Sequence, residues 1–134
     1  MSTHPDFYQT YIAHIRSRFY SAMHTKPFQV VVPTYCTAHT TRHPVPEGIF
    51  DGTRTQPYLH DCLIRVHEGS HTYQFRIFFK RHCFLPVNKS VCCGSQGHVF
   101  RGDALVMRVG ARDRHSVVNM RERDTILSDY VIIK

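Results

Sequence analysis

The chain has 134 residues, 42% of them hydrophobic, with nine Phe, seven Tyr and no Trp; this is enough for one globular domain with its own core and excludes disorder over the whole length. Seventeen Lys and Arg against ten Asp and Glu give a formal charge of +7, to which eleven His can add. A balance of that sign favours a polyanionic partner such as nucleic acid, because neutralising phosphates releases counterions and steers association.

The first element expected is a helix over Pro5 to Met23. Phe7, Tyr11, Ile15, Phe19 and Met23 follow one another at steps of four, Thr3 can cap the start, and Gln9, His14, Arg16 and Ser17 supply a polar face. Phe28 to Cys36 reads as a strand whose Pro33 confines it to an edge or a bulge. Thr37 to Pro57, with three prolines and two glycines, reads as a long loop, and Ile49 and Phe50 are its candidate anchors to the body.

Tyr58 to Leu85 is the clearest stretch. Its second half alternates strictly, with Tyr73, Phe75, Ile77 and Phe79 on one face and Gln74, Arg76, Phe78 and Lys80 on the other. HEGSH between the two halves has the glycine and small polar residue of a tight hairpin connection. The expectation is a hairpin with its aromatic face in the core and its Arg76, Phe78 and Lys80 face open. Pro86 to Gly97 forms a second polar interruption; its Asn88-Lys89-Ser90 fits the glycosylation pattern but lacks a secretory context. Asp103 to Gly110 and Ser116 to Met120 read as a further hairpin, and Asp124 to Lys134, rich in Ile, Val and Tyr, as a last strand that can begin as a short helix. Together these predict a single α+β domain over residues 1–134. Its N-terminal amphipathic helix packs on a curved, mainly antiparallel sheet of about six or seven strands, in the manner of a half-open barrel.

Five cysteines, an odd number, together with residues 1–20 broken by Asp6, His14, Arg16 and Arg18, point to a reducing intracellular compartment, cytoplasmic or nuclear. No run of about eighteen apolar residues is present, so no membrane span is expected. Three constellations bear on chemistry. Zinc, if it is bound at all, falls to Cys36, His39, Cys92 and His98, although none of the spacings is that of a paired CxxC site and no cofactor is expected. Acid–base chemistry falls to His67 and His71, which flank the hairpin turn and in a metal-independent nuclease would share a proton or a phosphate across it.

The favoured constellation is Arg65, Arg76, Phe78, Lys80 and Arg81 on or beside the hairpin, an aromatic interleaved with cations where bases stack and phosphates pair. Arg101, Arg108, Arg112, Arg114, Arg121 and Arg123 form a second basic group, partly offset by neighbouring acids. No catalytic or nucleotide-binding signature accompanies them, neither GxSxG nor P-loop, HExxH or GxGxxG. The expected function is therefore a small intracellular, non-enzymatic binding domain that contacts nucleic acid through a basic sheet face. The alternatives are a protein-interaction or self-associating module that can form a homo-oligomer, and the His-dependent nuclease.

Overall fold

A computed structural model describes residues 11–36, 41–50, 59–80, 88, 102–110 and 116–133. Strands β1 (Tyr11–Tyr20), β2 (Phe28–Cys36) and β3 (Arg42–Pro44) are followed by a 3-10 turn at Pro46–Gly48. Next come β4 (Leu59–Glu68), β5 (His71–Lys80), β6 (Ala104–Val109), β7 (Val117–Val118) and one helix, α1 (Glu122–Ile133). All strand pairs are antiparallel, in the order β3-β2-β1-β6-β5-β4, and β7 pairs with β6 beyond the point where β1 leaves it. The sheet curls into a half-barrel.

The α+β architecture is the expected one, but helix and strand are exchanged at the two ends. The described part of the first segment is β1, not a helix: Ile15, Ser17 and Phe19 are buried and their neighbours Ile12, His14 and Arg16 are exposed, which is the alternation of a half-buried strand. The last segment is α1, not a strand. Its buried residues Asp124, Leu127 and Ser128, with half-buried Val131, recur at the i, i+3, i+4 and i+7 positions of one helical face.

The central hairpin forms as expected, with β4 and β5 pairing one for one from Leu59 opposite Lys80 to Glu68 opposite His71. Gly69 takes a φ of 62°, the left-handed value that a two-residue hairpin turn requires at its first central position. Pro33 sits one strand in from the edge. Its carbonyl accepts the Val45 N–H at 2.9 Å, so its nitrogen faces the same side, just past the end of the short β3, and the ladder to β1 is undisturbed.

Both faces of the sheet are covered. On the face under α1, Phe75, Ile77, Ala104 and Val106 pack with Tyr20, Met120 and Leu127. On the other, Phe78, Leu105 and Met107 pack with Ile15, Phe19, Val32, Val117 and Phe50. The 37–57 stretch is not simply a loop, since its described residues 41–50 include β3 and the 3-10 turn. Phe50 and Ile49 pack that part on the body, the Phe50 ring meeting Phe19 edge-on at 5.7 Å.

Polar contacts dock the helix. The Tyr20 hydroxyl donates to Asp129 at 2.6 Å and lies 2.7 Å from the Ser128 hydroxyl, while Arg18 donates to both Asp129 oxygens at 3.1 and 2.8 Å. Burial works against the Arg18 charge, but the Asp129 carboxylate more than restores it and holds the guanidinium above its ordinary value. Asn88 is buried and uses its amide to donate to the carbonyls of Tyr20 and Gly102, so this residue is a structural tie.

Candidate anion-binding cleft

Arg65, Arg76, Phe78 and Lys80 do share one face of the central hairpin, because Arg65 opposes Gln74, which lies on the face of Arg76 and Phe78. Part of that face is covered. Phe78 is only 5% exposed and packs in the core cluster with Phe50, so it offers no free ring for a base. The Arg76 guanidinium lies 4.9 Å from the Phe78 ring centre and its Nε donates to Asp61 at 2.6 Å; the Lys80 ammonium lies 5.7 Å from the Phe50 ring centre. The expected open face is thus largely occupied by the protein's own contacts: β6 on one side of β5 and Phe50 above leave no room for an outside base at Phe78. Arg81 lies outside the described residues.

His67 and His71 do not face each other. The two-residue turn places Glu68 opposite His71 and His67 opposite Thr72, so the two imidazoles point to opposite faces of the hairpin. His67 Nδ1 is 3.1 Å from the Thr72 hydroxyl, and no proton or phosphate can be shared across the turn as expected. Of the residues considered for zinc, Cys36 is fully buried in β2, while His39, Cys92 and His98 lie outside the described residues. Among the described residues no three His, Cys, Asp or Glu side chains are grouped to hold a metal ion. Cys62 is exposed on β4; burial of its sulfur and the neighbouring Asp61 charge push its thiol up, which keeps it protonated at neutral pH.

The concentration of free positive charge lies elsewhere, in an open cleft of about 630 Å³ where the first turn of α1 meets β1, β3, β6 and β7. Arg16, Arg42, Arg108, Arg121 and Arg123 line it, with Tyr73 and Asn119, and Asp124 is the one acidic residue in the lining. The backbone brings them together. Arg16 of β1 donates its N–H to the Asn119 side chain at 2.7 Å and accepts the Met120 N–H at 3.0 Å, which lays the chain after β7 along β1. Arg42 of β3 donates its N–H to the Ser116 hydroxyl at 3.0 Å. Arg108 opposes Phe75 on one side and Val118 on the other.

Asp124 organises the helix end of the cleft. One of its oxygens accepts the Arg121 N–H at 2.9 Å, the N3-to-N-cap half of a capping box, and the other accepts from Arg108 Nη1 at 3.2 Å. Its carboxylate and Glu122 already offset the positive end of the helix dipole, so any attraction for an anion here comes from the side chains. The Arg108 guanidinium lies 5.0 Å from the Tyr73 ring centre, and Arg123 donates to the Tyr73 hydroxyl at 3.2 Å and pairs with Glu68.

Three observations give the cleft its chemistry. Five arginines and a single acid line it. Among the described residues no acid pairs with Arg16, Arg42 or Arg121. The Nε atoms of Arg42 and Arg108 are buried with no acceptor, a cost that a bound oxyanion would remove. Planar guanidinium forks match carboxylate and phosphate oxygens two at a time.

The sequence signalled half of this site. Arg108, Arg121 and Arg123 belong to the second basic group, whereas Arg16 was expected on the polar face of a helix and Arg42 in a loop. Nothing local marks those two, since only the sheet order brings them near the C-terminal segment. Arg101, Arg112 and Arg114 lie outside the described residues. No helix among the described residues is long and apolar enough to cross a membrane. Comparison with known proteins returns nothing: no family model matches the chain, and no curated protein or solved structure is significantly similar to it.

Proposed function

We propose that this chain is a small non-enzymatic binding domain that takes nucleic acid by its phosphates in the arginine cleft. The observation that carries the reading is the convergence of five arginines from three strands and a helix start on one cleft holding a single acid, two of them with buried, unsatisfied Nε donors. On the hairpin face first expected to do this, Phe78 is buried and Arg76 and Lys80 are engaged in internal contacts, so the partner class is kept and the site moves.

Titration of the whole chain with a labelled single-stranded oligonucleotide tests it. Arg16 and Arg121 are exposed and their side chains pair with no described acid, so Arg16→Ala and Arg121→Ala remove charge without touching the core. Each is expected to weaken binding by roughly tenfold, the size of a charge-assisted hydrogen bond of about 1.5 kcal/mol. Each also lowers the slope of log affinity against log salt by about 0.7 for every phosphate that is no longer neutralised. No binding at low salt, or binding indifferent to salt, would overturn the reading. The self-associating alternative is favoured by a separate observation, the outer edge of β4 that no strand among the described residues pairs, and uses none of the cleft residues.

A further inference from the structure

β4 is the outermost strand on its side of the sheet, and among the described residues no strand pairs with its outer edge. Its ten residues match β5 one for one without a bulge, and they include neither proline nor glycine. Most of the devices that blunt a sheet edge are therefore missing. In a two-residue hairpin the pair closing the turn, here Glu68 and His71, is hydrogen-bonded. Alternation then turns the backbone N–H and C=O groups of Leu59, Asp61, Leu63, Arg65 and His67 outward. Those five also share one side-chain face, the face of Arg76 and Phe78.

We propose that two copies of this chain join edge to edge through β4, antiparallel, about a twofold axis at Leu63. In that register Asp61 opposes Arg65 of the partner subunit and Arg65 opposes Asp61 of the partner subunit, so one complementary pair is made twice by symmetry. Leu63, a large apolar residue left 39% exposed, lies against its own copy on the axis. Neighbouring registers lose this match: centred on Cys62 the pairing sets Asp61 against Leu63, and centred on Ile64 it sets Leu63 against Arg65. The charges are available. Arg65 pairs with no described acid, and Asp61 uses Oδ2 for Arg76, leaving Oδ1 for a second guanidinium. The joined sheets would run continuously through both copies, with main-chain bonds giving affinity and the Asp61 and Arg65 pairs fixing the register.

Light scattering after size exclusion, over a range of concentrations, reads the result. The chain is expected to run as a dimer whose dissociation constant rises about tenfold on Arg65→Asp, since opposing like charges replace both pairs. The exchanged variant Asp61→Arg/Arg65→Asp should recover most of that loss by restoring both pairs with their signs swapped. Among the described residues the Arg65 side chain has no hydrogen-bond or ion-pair partner, so its substitution leaves the fold intact and the test open even where Asp61→Arg perturbs Arg76. Leu63→Cys in a Cys62→Ser background should form a disulfide-linked dimer under mild oxidation, because the axis sets residue 63 against itself. A wild-type chain that stays monomeric at every concentration, an exchanged variant no better than Arg65→Asp alone, or a Leu63→Cys chain that does not cross-link would each overturn the proposal. None of these outcomes depends on whether the cleft binds nucleic acid.

Discussion

Two places in the molecule set an arginine over an aromatic ring at nearly the same distance, Arg76 over Phe78 at 4.9 Å and Arg108 over Tyr73 at 5.0 Å. At the first, the ring is buried and the cation is matched by Asp61. At the second, Asp124 matches Arg108 and Glu68 matches Arg123, no described acid pairs with Arg16, Arg42 or Arg121, and the Arg108 Nε is buried without an acceptor. The same pair of residue types is therefore self-sufficient on the hairpin and in electrostatic excess at the cleft. An arginine–aromatic pattern along one strand does not identify a binding surface; the charge that remains after the fold has paired its own groups does.

The largest expected effect breaks the comparison from the Phe78 side. Phe78 packs among Phe50, Ile15, Leu105 and Met107, so Phe78→Ala should destabilise the domain by about 3–5 kcal/mol, as lost transfer energy and a residual cavity act together. Equilibrium urea unfolding measures it. A loss below about 1 kcal/mol would mean that the ring is not packed and would reopen the hairpin as a stacking surface.

The hairpin was legible in the sequence because its alternation, its glycine turn and its length agree on one answer. The first segment was not, for a simple reason: a step of four is an even number. Tyr11, Ile15 and Phe19 therefore fall on one side of a strand as readily as on one stripe of a helix. The β-branched and aromatic content of Tyr11 to Tyr20 was the signal that favoured the strand. At the other end the Ile and Val of α1 carry strand propensity, and the helical face is disguised because two of its buried members, Asp124 and Ser128, are polar. The cleft was half legible for a different reason. Its Arg108, Arg121 and Arg123 are near in sequence, but Arg16 reaches them only because β1 lies beside β6 and the chain after β7 returns along it.

The next effect sharpens the comparison by testing how α1 holds the arginine cluster in place. Burial, and then the bond to Asp129, push the Tyr20 hydroxyl well above its ordinary value of 10, with Ser128 and Arg18 opposing. A phenol whose folded-state value is raised contributes stability that is fully present below pH 10 and is lost as pH rises from there through the folded value, because the unfolded chain releases its proton first. The loss approaches about 1.4 kcal/mol for each pH unit in that window. Tyr20→Phe should cost about 1–3 kcal/mol at neutral pH, by removing the hydroxyl and leaving buried Ser128 and half-buried Asp129 short of a bond. Above about pH 10 its deficit relative to the parent chain should shrink, since the variant has no proton to lose. Thermal melts of both chains from about pH 8 to 11 give the difference. A deficit that stays constant with pH would show that Tyr20 titrates freely and does not fasten the helix.

The smallest expected effect is the most diagnostic. Arg76 and Asp61 are both partly exposed, so Arg76→Ala should change stability by less than about 1 kcal/mol. Its cation is matched and its ring partner buried, so oligonucleotide affinity should stay within about twofold of the parent chain, against the tenfold loss expected for Arg16→Ala. The two substitutions delete the same charge from the same fold and differ only in whether an acid had already balanced it. If the outcomes were exchanged, with Arg76→Ala weakening binding tenfold and Arg16→Ala leaving it unchanged, the phosphates would be held at the hairpin and the cleft would be a by-product of how α1 is capped.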